Sequence, residues 1–204
     1  MRVRRILNTD PHKFALLISA LMSAPLITLG TFLPIIYKFE NDDVWLLMGI
    51  TSFFGCFLPM GMVFVFLTKN YITDLYATDK SERFIPFLTT ILSYLLGMFT
   101  LLLVKAPAQI TALMACYLGN GIVLALITLK WKISIHSSGI TGPITALVYL
   151  LGTKLLPLYF LVIPVIWARL ELKAHSMLQL TIGALLTIFL TWFQMKYYLT
   201  SVFI

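Results

Sequence analysis

Charge is scarce in this sequence. Asp, Glu, Lys and Arg make up 11% of its 204 residues, against about 25% in a soluble domain. With 60% hydrophobic residues and a mean hydropathy of +0.95, that scarcity excludes a water-soluble globule and points to an integral membrane chain. Cysteine is nearly absent too. Cys56 and Cys116 lie in apolar segments without metal-ligand spacing or a partner pattern, and read as small core residues. Sustained period-two alternation is missing, which excludes a barrel; long unbroken apolar runs select helices, whose backbone satisfies itself in lipid. Low-complexity tracts, repeats and a separate soluble segment are also missing, so residues 1–204 form one membrane domain.

What is present is a series of apolar runs, at 14–37, 45–67, 86–104, 109–129, 138–153, 155–168 and 176–196. They predict an all-α, polytopic transmembrane helical bundle of about six to seven spans, each near 20 residues. The first run follows Arg2, Arg4 and Arg5 and exceeds the short apolar core of a signal peptide, so it is expected to stay as a span. The fifth and sixth runs are divided at Lys154. Pro25, Pro34, Pro59, Pro143 and Pro164 fall inside runs, where neighbouring helices must satisfy the released carbonyls.

Seven spans place alternate loops on opposite faces. One face then carries Arg2, Arg4, Arg5, Lys13, Lys69, Lys80, Arg83, Lys130, Lys132, Arg169 and Lys173, while Lys38, Lys105, Lys154 and Lys196 fall on the other. The positive-inside bias puts the basic face in the cytoplasm of a cell inner membrane. The net charge of +7 is accounted for by this distribution and requires no nucleic acid.

Three polar islands share that basic face if the chain does divide at Lys154. The first, Tyr71–Pro86, holds Asp74, Asp79, Lys80, Glu82 and Arg83; it reads either as a phosphate-neutralising loop or as a solvated loop of paired charges. The second, Lys130–Gly139, holds His136 and then Ser137 and Ser138, which cap the following helix. The first turn of that helix offers N–H groups and a positive dipole end, a ready site for an anion. A histidine at its mouth can protonate a leaving oxygen. The third island holds Arg169, whose planar fork matches phosphate oxygens, and His175, which can attack phosphorus. Taken singly, each histidine reads rather as an interfacial or helix-capping residue than as a catalytic one.

Taken together, the islands resemble the type-2 phosphatidic acid phosphatase superfamily, membrane lipid phosphatases that share a helical core with vanadium haloperoxidases. That family's pattern is a Lys followed after six residues by Arg-Pro, then Ser-Gly-His, then Ser-Arg with a His after five residues and an Asp four beyond it. Here the second element is Ser134-Ile135-His136. The third is Ala168-Arg169, five residues, His175 and Gln179, with Gly183 following. The first is loosest, with Lys80 three residues before Arg83 and Pro86 three after.

The resemblance implies that His175 is the nucleophile and His136 the general acid, with Lys80, Arg83, Arg169, Ser137 and Ser138 binding the phosphate and Gln179 orienting the nucleophile. It implies a lipid phosphate or diphosphate as substrate, a phosphohistidine intermediate, and neither metal nor other cofactor. Two departures stand out. Gln179 replaces a carboxylate whose loss, in the comparable Ser-His-Asp arrangement, costs about four orders of magnitude in rate. Ile135 replaces a glycine beside the phosphate. They motivate the alternative of a non-catalytic lipid-phosphate binder on the same fold. A transporter would carry ionisable groups within its spans, and an intramembrane prenyltransferase would need two Asp-rich loops for magnesium; neither pattern is in the sequence.

Overall fold

Apolar runs without alternation have one local way to satisfy their backbone, and the chain takes it. The computed structural model describes residues 10–73, 82 and 84–203, and among these there is no strand. The helices are α1 (Asp10–Leu21), α2 (Ala24–Phe39), α3 (Val44–Thr68), α4 (Phe84–Leu103), α5 (Ala108–Lys130), α6 (Ile135–Leu151), α7 (Val162–Glu171) and α8 (Met177–Tyr197). A 3₁₀ helix, Thr153–Leu161, leads into α7.

Five described helical stretches are long and apolar enough to cross a membrane: Val44–Thr68, Phe84–Leu103, Ala108–Lys130, Thr153–Glu171 and Met177–Val202. The pair α1 and α2 makes a sixth if it crosses as one bent unit, and α6 is shorter, at 17 residues. The expected first span is therefore not continuous. It bends by 43° at Ser23, whose extended backbone (φ −69°, ψ 147°) precedes a Pro25 seated in the first turn of α2. A proline there gives up an N–H that the helix start leaves unbonded anyway. Within α3, one π-helical turn at Phe53–Phe57 interrupts the ladder, and the Phe54 carbonyl accepts from the Ser93 hydroxyl of α4 at 2.7 Å.

The expected division at Lys154 is found two residues earlier. Gly152 has φ 108°, in a region open essentially to glycine alone, and there the chain reverses. The Thr145 and Tyr159 hydroxyls meet across the reversal at 2.7 Å, and Ile140, Ile144 and Val148 of one arm pack in one cluster with Val165 of the other. Because the arms run antiparallel, the end of α7 returns to the level at which α6 begins. Beside them α8 lies along α6, and a larger apolar core of Phe32, Leu47, Leu101, Leu113 and Met114 joins α2 to α5.

Candidate site at the helix ends

The site residues lie where helices start or stop, and capping chemistry decides their placement. At the start of α6, Ser134 is extended (φ −86°, ψ 111°) and its Oγ accepts the Ser137 N–H at 3.4 Å. The cap is thus Ser134, not Ser137 or Ser138, and His136 falls in the first helical turn. Ser137 and Ser138 are buried. The Ser137 hydroxyl donates to the Ser134 carbonyl at 3.2 Å, and that of Ser138 to the Ser134 and Gly183 carbonyls at 2.9 and 3.0 Å. A serine inside a helix readily turns its hydroxyl back on the preceding turn. The Ser138 hydroxyl thus bonds across the α6–α8 seam, while that of Ser137 turns back within its own helix.

Gly183 permits that seam. A Cβ on it would lie 2.8 Å from the Ser134 carbonyl oxygen and from Ser137 Oγ. The close approach lets the Ser134 N–H reach the Gln179 carbonyl at 3.4 Å, so the second and third islands touch through their main chains.

The spacing between Arg169 and His175 is a stop followed by a start. Lys173 takes a left-handed conformation (φ 51°), its N–H bonding to the Leu170 carbonyl and that of Ala174 to the Arg169 carbonyl. This paired closure ends α7. Two residues on, Ser176 caps α8 in a reciprocal box: its Oγ accepts the Gln179 N–H at 3.3 Å, and Gln179 Oε1 accepts the Ser176 N–H at 3.1 Å. The same Oε1 lies 3.3 Å from His175 Nδ1. With a proton on Nδ1, that contact is a hydrogen bond that holds the ring and leaves Nε2 as the unprotonated nitrogen.

Arg169 is 5% exposed. Its Nη1 donates to the hydroxyl of Ser19, on α1, at 2.8 Å.

Lys80 and Arg83 lie outside the described residues, as do Asp74 and Asp79. The neck of their loop is described: Thr73 donates its N–H and hydroxyl to Glu82 Oε2 at 2.8 and 3.0 Å. Just beyond it, Phe87 and Thr90 in the first turns of α4 line a cavity of about 90 Å³ together with Ile135 and Ser138 of α6. The cavity continues between α5 and α8 to Leu113 and Thr191. There the Asn120 amide donates to the Thr191 hydroxyl at 2.8 Å, and the Gln194 amide to the Asn120 carbonyl at 2.9 Å.

The starts of α4, α6 and α8 thus share one end of the bundle, and each contributes the positive pole of its dipole. Arg169 and Lys130, in the last turns of α7 and α5, add full charges at the same level. Among the described residues, no three His, Cys, Asp or Glu side chains gather as metal ligands.

Sequence reasoning did not single out Ser176, although its Ser-x-x-Gln spacing is a legible capping signature. It also passed over the Asn120–Gln194 pair and Ser19, which carry no local signal. Compared with family models, curated proteins and solved structures, the chain matches none.

Proposed function

We propose that the chain is an integral membrane phosphatase acting on a lipid phosphate or diphosphate. His175 Nε2 attacks phosphorus as the bond from phosphorus to the lipid oxygen breaks, and His136 delivers a proton to that oxygen. Water then cleaves the phosphohistidine and releases inorganic phosphate. Phosphoryl transfer asks chiefly for positioning and for neutralisation of the equatorial oxygens. Arg169, Lys80, Arg83 and the first-turn N–H groups of α6 supply it.

The observation that carries the reading is the Ser134-to-Gln179 main-chain contact, which brings the His136 turn against the His175 turn. A lipid substrate is favoured because the cavity beside that turn is lined mostly by apolar side chains, among them Ile91 and Leu124. Counting the bent pair as one span and α6 as another gives seven spans, with the three islands on the cytoplasmic face of the inner membrane.

The test is release of inorganic phosphate by purified protein in detergent or vesicles from phosphatidic acid, phosphatidylglycerol phosphate or a polyprenyl diphosphate. His175→Ala is expected to abolish release and His136→Ala to slow it by about a hundredfold or more. Release from none of the three would leave the second reading, a lipid-phosphate binder. That reading is favoured by one observation: Gln179 Oε1, shared between His175 and the Ser176 N–H, brings no negative charge to stabilise an imidazolium.

A further inference from the structure

The first helix is the element that the proposed chemistry leaves idle, yet its buried stripe is aimed at the site. Only two of its residues are buried, Ala15 and Ser19, one turn apart, and both lie on the side that packs against α7. The rings of Phe14 and Trp167 meet on the same seam, 5.8 Å apart and tilted by 54°. Alanine keeps the helices close, and serine offers the hydroxyl that receives Arg169 Nη1 at 2.8 Å. A hydroxyl only 1% exposed on a helix otherwise turned outward is costly unless it has a partner. The partner here is a cation, whose hydrogen bonds are stronger than neutral ones.

We infer that Ser19 is a positioning residue of the phosphate site, fixing the plane of the Arg169 guanidinium and so making α1 part of the site. This rests on the proposed phosphate chemistry. A guanidinium holds five N–H donors in one rigid plane, so the Nη1 bond to the Ser19 hydroxyl helps to fix the orientation of that plane. The main chain is anchored as well, since the Arg169 carbonyl accepts from Ala174. The side chain is therefore held at both ends. Phosphoryl transfer is sensitive to that placement, because small displacements of a positioning group cost large factors in rate.

The experiment is a double-mutant cycle on full-length protein, read as kcat/KM for a lipid phosphate and as inhibition by vanadate. Ser19→Ala is expected to lower kcat/KM by about tenfold and to weaken vanadate by a similar factor, the loss of one hydrogen bond to a charged group. Ser19→Thr, which keeps the hydroxyl, is expected to restore most of both. In an Arg169→Ala background, Ser19→Ala should change neither. An equal loss in both backgrounds, or a lowered melting temperature with unchanged kinetics, would overturn the inference in favour of simple helix packing. Wild type that neither releases phosphate nor binds vanadate would sink the parent reading and this one together. An active wild type unmoved by Ser19→Ala would sink this one alone.

Discussion

Thr145 and Tyr159 bring their hydroxyls to 2.7 Å at positions equidistant along the chain from Gly152. The pair marks an antiparallel hairpin within the bundle, and the hairpin carries Arg169 back to the level of His136. Without the reversal the third island would lie at the opposite end of the molecule from the second.

Gly152→Ala is the direct perturbation of that hairpin. Nothing lies within 4 Å of an added Cβ, so the cost is conformational alone, about 1–3 kcal/mol for a residue forced into that region. Tyr159→Phe, which deletes one hydrogen bond between spans, should cost about 0.6–2 kcal/mol. Unfolding of the two variants in the same detergent checks the order. Equal stability of Gly152→Ala and wild type would mean that the turn is not held as described.

Gly183→Val tests the approach of α6 to α8. Its side chain would press on the Ser134 carbonyl and the Ser137 and Ser138 hydroxyls, an overpacking worth about 1–3 kcal/mol. The expected result is a lower melting temperature together with loss of the proposed phosphate release. Gly30→Ala is the control, since space around Gly30 is open, and it should be neutral or slightly stabilising.

Gln179→Glu places a carboxylate beside His175 Nδ1. Opposite charge favours the protonated ring, the state that the proposed mechanism creates at His175. Under the proposed mechanism, stabilising the imidazolium formed on phosphorylation should raise kcat by about tenfold or more, a part of what an orienting carboxylate supplies elsewhere. Gln179→Ala should lower it. A Gln179→Glu kcat equal to that of wild type would remove Gln179 from the orienting role.

Asn120→Leu removes one member of the amide pair between α5 and α8 and leaves the Gln194 amide without its acceptor. Interhelical polar contacts of this kind are worth about 0.6–2 kcal/mol, so the melting temperature should fall. Asn120→Leu combined with Gln194→Leu should recover part of the loss, because the Gln194 amide is then no longer stranded.

Glu40, between α2 and α3, gives a pH-dependent check away from the site. Its carboxylate accepts the backbone N–H groups of Asp42 and Asn41 at 3.0 and 2.9 Å, which holds it below the usual carboxylate value. A depressed folded value stabilises above the unfolded value and loses that stabilisation as pH falls through the folded one. Wild type should therefore lose stability relative to Glu40→Gln on acidification. Parallel melting curves for the two at every pH would contradict the contact.

Composition and apolar run length by themselves determined an all-helical chain with helices fit for a membrane, because in lipid the backbone has no other partner than itself. Each of the seven apolar runs corresponds to helix, and the reversal near Lys154 lay within two residues of Gly152. Capping was legible in part: serines precede α6 and α8, but Ser134 rather than Ser137 or Ser138 caps α6. That choice depends on which turn packs against Gly183, a contact between distant segments. The same holds for Ser19 with Arg169, and for Asn120 with Gln194. Their residue types are ordinary, and only the folding of α1 against α7 and of α5 against α8 gives them partners. Local periodicity fixes what each segment becomes; which side chains meet is decided where helices cross, and a linear sequence does not display that.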